Sequence, residues 1–357
     1  MFSNWFLKSF RVLLLPFALL YGLLIIIRNW LYDKKIKQSV SFGLPVICVG
    51  NLSIGGTGKS PMVEYLVLHL KNLYKVSTLS RGYKRKTRGY ALASDQATAL
   101  DIGDEPMQFH RKFPDVPVAV GEQRVHAIPQ LLHDKPATEI IILDDAYQHR
   151  AIQAGFNILL TDYGNLFTRD FYLPTGDLRD SRGSYKRADV IVVTKCRADI
   201  SEEERQEIIK EIDPLPHQQV FFTTIIYGSI YHISRNTFGL IDEETEVLLI
   251  TGIANPKPLQ KYLEEQIDTY QMMHFNDHHI FSTDDWREIR KRFENIQKTK
   301  KMILTTEKDA MRLDGHRELL QRLNLPVYIL PARVQFMGKN SAEFDDTVKD
   351  WLLNFKR

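Results

Sequence analysis

The sequence has little cysteine, little net charge and no repeats. Only two cysteines, Cys48 and Cys196, occur among 357 residues, and both lie in apolar runs. They are too few for a disulfide framework or a Cys-rich metal site, so the chain fits a reducing compartment. Lysine and arginine number 47 against 44 acidic residues, and a net charge of +3 is too small to argue for nucleic acid as the main partner. The absence of a fixed-period repeat or a low-complexity tract excludes solenoid and disordered proteins.

A charge-free run, residues 12–27, lies near the N-terminus between Arg11 and Arg28. As a helix it would be about 24 Å long at ~1.5 Å per residue, slightly short of the ~30 Å hydrocarbon core of a bilayer. Three aromatic residues flank the run and suit a membrane interface: Trp5, Phe6 and Trp30. We expect a retained membrane anchor over residues 1–35, because no signal-peptide cleavage site follows Ile27. A buried core helix is the alternative.

Positive charge is denser after the run than before it. Lys8 and Arg11 precede the run, whereas four basic residues follow it: Arg28, Lys34, Lys35 and Lys37. Because cytoplasmic flanks carry the excess of Lys and Arg, we expect the body of the chain on the cytoplasmic side of the membrane.

After Pro45, apolar runs alternate with helical patterns, which is typical of parallel strands joined by crossover helices. Their near-continuous Val and Ile indicate strands buried on both faces. The runs are 45–50, 75–80, 116–121, 139–145, 156–162 and 189–195. The composition shifts at 213–240, and a second set of runs follows at 246–252, 301–306 and 326–330, with an amphipathic segment at 342–355.

The first strand leads into a glycine-rich segment that ends in Gly58-Lys59-Ser60 and precedes a helical pattern. In a P-loop, backbone amides of such a turn hold phosphates, the lysine reaches the β- and γ-phosphates and the hydroxyl binds Mg²⁺. Ser53 stands where the strict pattern has glycine, and a turn without a ligand is the alternative. The predicted nucleotide-binding residues are Ser53, Ile54, Gly55, Gly56, Thr57, Gly58, Lys59 and Ser60.

An acidic pair, Asp144 and Asp145, follows four apolar residues at the end of a predicted strand. A P-loop protein needs a carboxylate there to order its metal ion. Adjacent carboxylates repel each other, and a divalent cation relieves that repulsion. We therefore predict Mg²⁺ ligands at Ser60, Asp144 and Asp145, the alternative being a strand that ends in an Asp-rich turn.

These features predict an α/β fold with a P-loop NTPase-like parallel-sheet domain over residues 40–235. A smaller α/β domain over residues 240–357 would close over the active site. Guanine specificity is disfavoured, because Arg197 stands where the Thr-Lys-x-Asp pattern requires aspartate. Dimeric ATPases with a deviant phosphate loop have a lysine where Ile54 stands here. The residue that characterises their mechanism is therefore absent from this loop.

Further motifs occur in a fixed order along the chain. They are GNLSIGGTGKSP (50–61), LSRGY (79–83), GDEP (103–106), LDDAYQH (143–149) and DHH (277–279). Together with the N-terminal helix, this set closely resembles the tetraacyldisaccharide 4'-kinases, also called lipid A 4'-kinases, from residue 1 to about 310. Ser60 replaces the usual threonine but keeps the hydroxyl, and Ala146-Tyr147 replaces the usual Gly-Leu.

The resemblance implies an ATP- and Mg²⁺-dependent kinase that phosphorylates the 4'-hydroxyl of a lipid A disaccharide 1-phosphate, a late step of lipid A (lipopolysaccharide) biosynthesis. It implies a location at the cytoplasmic face of the inner membrane of Gram-negative bacteria. Neither nucleic acid nor a protein partner is predicted. One alternative is a membrane-associated ATPase that drives a partner protein, with the acidic pair positioning water. Another is a nucleotide-sensing scaffold, which would keep Lys59 but has no need for the motifs at Asp104 and His278.

Asp104 and His278 each allow two interpretations. Asp104 precedes a helical pattern with proline in its first turn, which alone suits a helix cap. An Asp-His pair in a loop is commonly a local hydrogen bond. The resemblance instead implies that Asp104 accepts the proton of the sugar hydroxyl and that His278 acts with it. His278 is preferred to His279 because glutamine can replace the second histidine in relatives. Lys59 completes the predicted catalytic set.

Five basic residues lie within ten positions, in the stretch Arg81–Tyr90. A solvated hairpin is one interpretation. A second is attraction to anionic headgroups or to the 1-phosphate of the substrate, at about 1 kcal/mol per basic residue near an anionic surface. Nucleic-acid binding is a weaker third interpretation, because no RNA- or DNA-binding module surrounds the stretch.

Overall fold

The computed structural model describes residues 11–356 except 236, 254, 314–319, 321 and 339. Trp5, Phe6 and Lys8, which entered the expectation of a membrane anchor, lie outside the described residues. The first helix, α1, spans Leu15–Asp33 and contains most of the charge-free run.

Strands and helices alternate through the body of the chain. Its first part contains β1 (Val46–Asn51), α2 (Lys59–Leu70), β2 (Val76–Ser80), β3 (Ala91–Leu92), α3 (Ala99–Ile102), α4 (Asp104–Lys112), β4 (Val118–Val120), α5 (Arg124–Asp134), β5 (Ile140–Asp144), β6 (Phe156–Asp162), a 3-10 helix (Arg182–Arg187), β7 (Val190–Thr194), α6 (Glu202–Ile212) and β8 (Gln219–Tyr227).

The second part contains β9 (Tyr231–His232), β10 (Glu246–Thr251), α7 (Lys257–Glu264), β11 (Tyr270–His274), α8 (Thr283–Asn295), β12 (Lys301–Thr306), α9 (Glu307–Leu313), β13 (Val327–Leu330), β14 (Ala332–Phe336) and α10 (Asn340–Leu353). Each predicted apolar run contains a strand, and the expected α/β fold is confirmed.

The strands form two sheets. The larger has the order β14-β8-β7-β6-β1-β5-β2-β4-β3 and is parallel except at its two edge pairs. The smaller has the order β11-β10-β12-β13-β9 and is parallel except for β13–β9. In the larger sheet β1 lies beside β5, with Val49 opposite Asp144. The loops after these two strands therefore leave the same sheet edge side by side, where open α/β sheets bind ligands.

Apolar side chains cover both faces of the larger sheet, which explains the continuous Val and Ile of its strands. Along β1, Val46 and Cys48 pack into the core on one face, whereas Ile47 and Val49 pack with helix α2 on the other. Because both faces are buried, the carboxyl edge is the part of the sheet left for polar chemistry.

Helix α1 packs on the larger sheet's unit through one narrow face. Ala18, Gly22 and Asn29 are buried, but only 17% of the most apolar window of the helix is buried. A side chain at Gly22 would meet the ring of Tyr172 at 2.7 Å, so glycine permits this close approach. By length and composition the helix could cross a membrane. Its exposure shows that the core-helix alternative is wrong.

Polar contacts join α1 to the body at both ends. Before its first turn, Arg11 pairs with Asp177 at 3.1 Å. Toward its end, the amide of Asn29 donates to Asp180 at 2.7 Å, and Arg150 donates to the carbonyl of Asn29 at 2.9 Å. The helix therefore lies along the body instead of projecting from it.

The chain leaves the larger sheet after β8 and returns to it at β14. Tyr227 pairs with Ala332, and the amide of Gly228 donates to the carbonyl of Pro331 at 2.9 Å. Helix α10 then packs against β8 and β14. By pairing, β14 belongs to the larger sheet although it lies in the predicted domain 240–357, and β9 belongs to the smaller sheet although it lies in 40–235. We therefore propose a larger unit of residues 40–228 and 332–353 and a smaller unit of residues 229–331.

Candidate active site

The segment between β1 and α2 forms the expected strand–loop–helix. Gly58 precedes α2 with φ of 81°, a left-handed conformation that glycine adopts at low cost, and none of the described side chains caps the helix. The first amides of α2 are thus left for an anion. The Nζ atom of Lys59 lies over the loop, 3.4 Å from the carbonyl of Gly55 and 3.5 Å from Oδ1 of Asn51. Ser60 is in the first turn of the same helix.

A cleft of about 290 Å³ opens beside this loop. Its lining combines loop residues with residues after β6 and with one residue of the smaller unit: Ser53, Ile54, Gly55, Gly56, Thr57, Asp162, Gly164, Asn165 and Asn255. The cleft therefore lies between the two units and includes five of the eight predicted nucleotide-binding residues.

The Thr194-Lys195 pair, which begins the incomplete guanine pattern, supports the loop from behind. Thr194 donates to the carbonyl of Thr57 at 2.9 Å. Lys195 donates to the carbonyl of Gly56 and to Asp162, the latter at 2.8 Å. Arg197 pairs with Glu204 at 3.0 Å. These contacts give the lysine a structural role at the loop.

The acidic pair is divided between two environments. Asp144, at the end of β5, is 1% exposed, and its Oδ1 has no hydrogen-bond partner among the described residues. Burial, with the nearby charges of Glu105 and Asp145, raises the pKa of Asp144 to about 8. Such a carboxylate is costly to ionise without a cation, and oxygen is the ligand that Mg²⁺ prefers. The residues at this position fit a magnesium ion, although the described residues contain no group of three or more His, Cys, Asp or Glu side chains arranged for a metal.

Asp145, unlike Asp144, contacts two positively charged side chains. Its φ of 51° places it in the left-handed region. Arg179 donates to both of its carboxylate oxygens, one contact being 3.1 Å, and the Nζ atom of Lys59 lies 3.8 Å away. Burial would raise the pKa of Asp145, but Lys59 and Arg179 outweigh burial and lower it. Asp145 therefore holds these two cations beside the loop.

Asp104 and His278 meet across the two units. The Nδ1 atom of His278 lies 2.8 Å from Oδ2 of Asp104, and Nη2 of Arg312 lies 2.6 Å from the same oxygen. Both side chains of the pair are nearly buried, at 3% exposure for Asp104 and 8% for His278. Gly103, and not Asp104, is the N-cap residue of α4, and the described part of the chain contains no side-chain hydrogen bond that caps this helix. Asp104 thus faces the histidine and not the helix amides.

The contacts of His278 favour a proton on its Nδ1 atom. Arg312 also approaches Nδ1 of His278 at 2.9 Å, but a guanidinium only donates. If Arg312 donated to Nδ1, that nitrogen would carry no proton. Its lone pair would then face the negatively charged carboxylate of Asp104, which is unfavourable. The arrangement is satisfied when Nδ1 donates to Asp104 and Arg312 donates to the same oxygen. The other ring nitrogen, Nε2, lies 3.5 Å from the carboxylate of Asp277.

Burial would raise the pKa of Asp104, but the hydrogen bonds and charges of His278 and Arg312 lower it. Asp104 is therefore ionised at neutral pH. The neighbouring His279 points elsewhere, with Nε2 3.0 Å from Asp285, a residue of the capping box of α8.

The basic stretch Arg81–Tyr90 is an irregular loop and contains no hairpin. Arg85 is internal to it, with its side chain 2% exposed and 2.6 Å from Glu122. The other basic side chains are exposed: Arg81, Lys84, Lys86 and Arg88. Four of the five basic residues are thus available to an anion, and one is structural.

Sequence reasoning missed Arg179, Arg312 and Asn51. Arg179 follows Gly-Asp-Leu in an irregular segment, and an arginine in such a segment does not by itself indicate a place in the site. Arg312 lies in the last turn of α9, the helix that directly follows β12, and its residue type alone is no signal either. Asn51 ends β1, and its Oδ1 accepts a hydrogen bond from Arg179 at 2.5 Å.

Comparison with known proteins gives one consistent answer. A family model described as tetraacyldisaccharide-1-P 4'-kinase matches residues 10–352. A tetraacyldisaccharide 4'-kinase of Flavobacterium johnsoniae is 45% identical over 343 residues, covering 96% of this chain and 97% of that protein. One of Bacteroides thetaiotaomicron is 43% identical over 347 residues, covering 94% and 91%. A crystal structure of LpxK from Aquifex aeolicus in complex with ATP matches with a TM-score of 0.75 and 28% identity, covering 96% of this chain and 99% of that one.

Proposed function

The chain belongs to the tetraacyldisaccharide 1-phosphate 4'-kinase family, and on that premise we propose which of its residues carry out the reaction. It is an ATP-dependent kinase that phosphorylates the 4'-hydroxyl of a lipid A disaccharide precursor. An ATPase that drives a partner protein is not favoured. The observation that supports our assignment best is the Asp104–His278–Arg312 assembly, which two units contribute beside a nucleotide cleft.

The phosphate loop, residues 53–60, holds the phosphates of ATP in this proposal. Lys59, already between Asp145 and the loop, moves its ammonium a short distance to the β- and γ-phosphates. Ser60 and Asp144, whose Oδ1 has no hydrogen-bond partner among the described residues, would hold Mg²⁺, which would neutralise charge on the phosphates. Asp145, the third predicted ligand, keeps Lys59 and Arg179 in place. Arg179 thereby lies where charge develops during phosphoryl transfer.

Asp104 receives the 4'-hydroxyl of the acceptor. Its low pKa makes it a weak base, but phosphoryl transfer passes through a loose transition state in which positioning matters more than early deprotonation. We assign Asp104 to orient the hydroxyl and to take its proton late. His278 and Arg312 hold the carboxylate in place and share the charge. The exposed basic residues of 81–88 suit the 1-phosphate of the acceptor.

Helix α1 associates with the cytoplasmic face of the inner membrane in this proposal. Its outer surface is apolar and exposed, and basic residues flank it. Because Arg11 and Asn29 bind the body at the two ends of the helix, embedding along the membrane surface is favoured over a complete crossing.

The test is incubation of the purified chain with γ-labelled ATP and a lipid A disaccharide precursor. We expect label in the lipid and little ATP turnover without it. ATP hydrolysis that is independent of the acceptor would favour the ATPase and contradict the proposed acceptor site.

A further inference from the structure

Two helices from different units lie against each other and are joined at both ends. Helix α4 belongs to the larger unit and α9 to the smaller. At one end Arg312 pairs with Asp104 at 2.6 Å, and at the other Lys112 pairs with Glu307 at 2.7 Å. The N-terminal residue of each helix is acidic and its partner lies in the last turn of the other, so the helices are antiparallel. Each charge also complements the dipole of its own helix.

Lys112 makes a second contact, with the helix of the phosphate loop. Its Nζ atom lies 2.6 Å from Oε2 of Glu64 in α2, and Gln108 donates to the other oxygen of Glu64 at 2.7 Å. The side chains of Glu64 and Glu307 are 4% and 6% exposed. Two buried carboxylates from different units therefore share one ammonium group, and each would be strongly disfavoured without it.

The geometry points to Lys112 as a positioning residue of the kinase. Through Glu64 and Glu307 it joins the phosphate-loop helix to the helix that carries Arg312. One contact at Asp104–Arg312 would leave α9 free to pivot about that point. A second contact eight residues along α4, about 12 Å away at ~1.5 Å per residue, removes that rotation.

The consequence is that Lys112 sets how the smaller unit presents His278 and Arg312 to Asp104 and to the phosphates on Lys59. Lys112 itself touches none of these groups in the described contacts, so it would act through the orientation of α9. This inference rests on the proposed roles of Asp104 and His278.

The test uses Lys112→Met, which removes the ammonium and keeps most of the aliphatic stem. Because that change leaves two carboxylates facing each other, a second variant combines it with Glu64→Gln and Glu307→Gln. Lys112→Arg is the conservative replacement. The matched control is Lys71→Met, which removes a 3.0 Å ion pair with Asp115 inside the larger unit.

We expect both Lys112→Met variants to lower kcat by about 10- to 100-fold, since small misplacements of reacting groups have effects of this size. The KM for ATP should change by less than about twofold, because the phosphate loop stays intact. Lys112→Arg should restore most of the activity, and Lys71→Met should match the wild type. In a His278→Ala background, Lys112→Met should add little further loss, since both changes act on one assembly.

A lower melting temperature with normal kcat in the neutral triple variant would overturn the inference, because Lys112 would then only stabilise the fold. Losses that multiply in the His278→Ala background would overturn it as well. A different result would contradict the proposed catalytic roles of Asp104 and His278. In that case Asp104→Ala and His278→Ala would keep their activity, whatever the Lys112 variants do.

Discussion

The Nδ1 atom of His278 lies 2.8 Å from the carboxylate of Asp104 although 174 positions separate the two residues. They belong to different units, so the contact exists only when the smaller unit lies over the larger one. In the proposed active site, this contact would couple chemistry to closure and limit the transfer of phosphate to water.

We predict that Asp104→Ala and His278→Ala each lower kcat by at least ~10²-fold with little change in the KM for ATP. Because the two residues act as one unit, the double variant should be hardly worse than either single variant. Steady-state kinetics with a saturating acceptor measures this. His279→Gln is the control and should keep near-normal kcat. Two results would contradict this prediction: losses of kcat that multiply in the double variant, or an Asp104→Ala variant with normal kcat and a lower melting temperature. Asp145 would then be the next candidate for the base.

Replacing Lys59, Asp144 or Asp145 by alanine should remove most phosphoryl transfer, because Lys59 and a metal ion on Asp144 would stabilise charge at the phosphates and Asp145 keeps Lys59 in place. Near-normal kcat in these folded variants would contradict the P-loop assignment.

Asp144→Asn separates metal binding from folding. It replaces a buried carboxylate whose Oδ1 has no hydrogen-bond partner among the described residues, so the melting temperature of the free protein should stay the same or rise. The additional stabilisation by Mg²⁺-ATP should be largely lost. Thermal unfolding with and without Mg²⁺-ATP measures both effects, and an unchanged Mg²⁺-ATP shift would argue against Asp144 as a ligand.

Arg179→Met should lower kcat at least tenfold, since it removes a guanidinium from the phosphate side of the cleft and leaves Asp145 with Lys59 alone. The KM for the lipid acceptor should change less than kcat. Arg169→Met is a suitable control, because Arg169 pairs with Glu211 on the surface. Equal effects of the two substitutions would show that Arg179 has no special role.

The intact chain should partition with membranes and require detergent for extraction, and deletion of residues 1–30 should release it. The deletion should also lower kcat on detergent-dispersed substrate, because Tyr21 donates to the carbonyl of Arg179 at 3.1 Å and Asn29 donates to Asp180. Asn29→Ala separates the two effects: we expect about 1–3 kcal/mol of lost stability with unchanged membrane partitioning. Recovery of the intact chain in the soluble fraction at low salt would count against the membrane proposal.

Glu64 gives a pH dependence to stability. Burial raises its pKa to about 7, with Lys112 opposing and Glu307 adding to the rise. A carboxyl with a higher pKa in the folded state stabilises the fold most below its unfolded pKa of 4.5, and this contribution is lost as the pH rises through about 7. The free energy of unfolding of the wild type, relative to Glu64→Gln, should fall by up to about 3 kcal/mol over that range. Denaturant titrations at several pH values measure it, and a constant difference would refute it.

The strands at the centre of the larger sheet could be predicted because the patterns that indicate them are local in the sequence. Continuous Val and Ile mark a strand buried on both faces, and the Gly58-Lys59-Ser60 turn follows such a strand directly. The pairing of Asp104 with His278 was accessible only through resemblance, since no local pattern joins residues that far apart.

Contacts that depend on tertiary structure could not be predicted from local patterns in the sequence. Arg179 reaches Asp145 from an irregular segment, and Lys112 joins carboxylates on two other helices. The return of β14 to the larger sheet was missed because Ala332–Phe336 reads as an ordinary continuation of the smaller unit. Each of these features depends on where distant segments meet, and residue types alone do not encode that.

The paired crossings at Gly228 and Pro331 make the smaller unit an insertion into the larger one, with its entry and exit side by side. Two adjacent covalent tethers permit a swing about a single axis but resist sliding and twisting. Residues far from that axis travel furthest when the cleft opens, whereas those near it scarcely move. The same adjacency means that joining residue 228 directly to 331 would excise the insertion without stretching the chain, leaving a nucleotide-binding core that lacks His278 and Arg312.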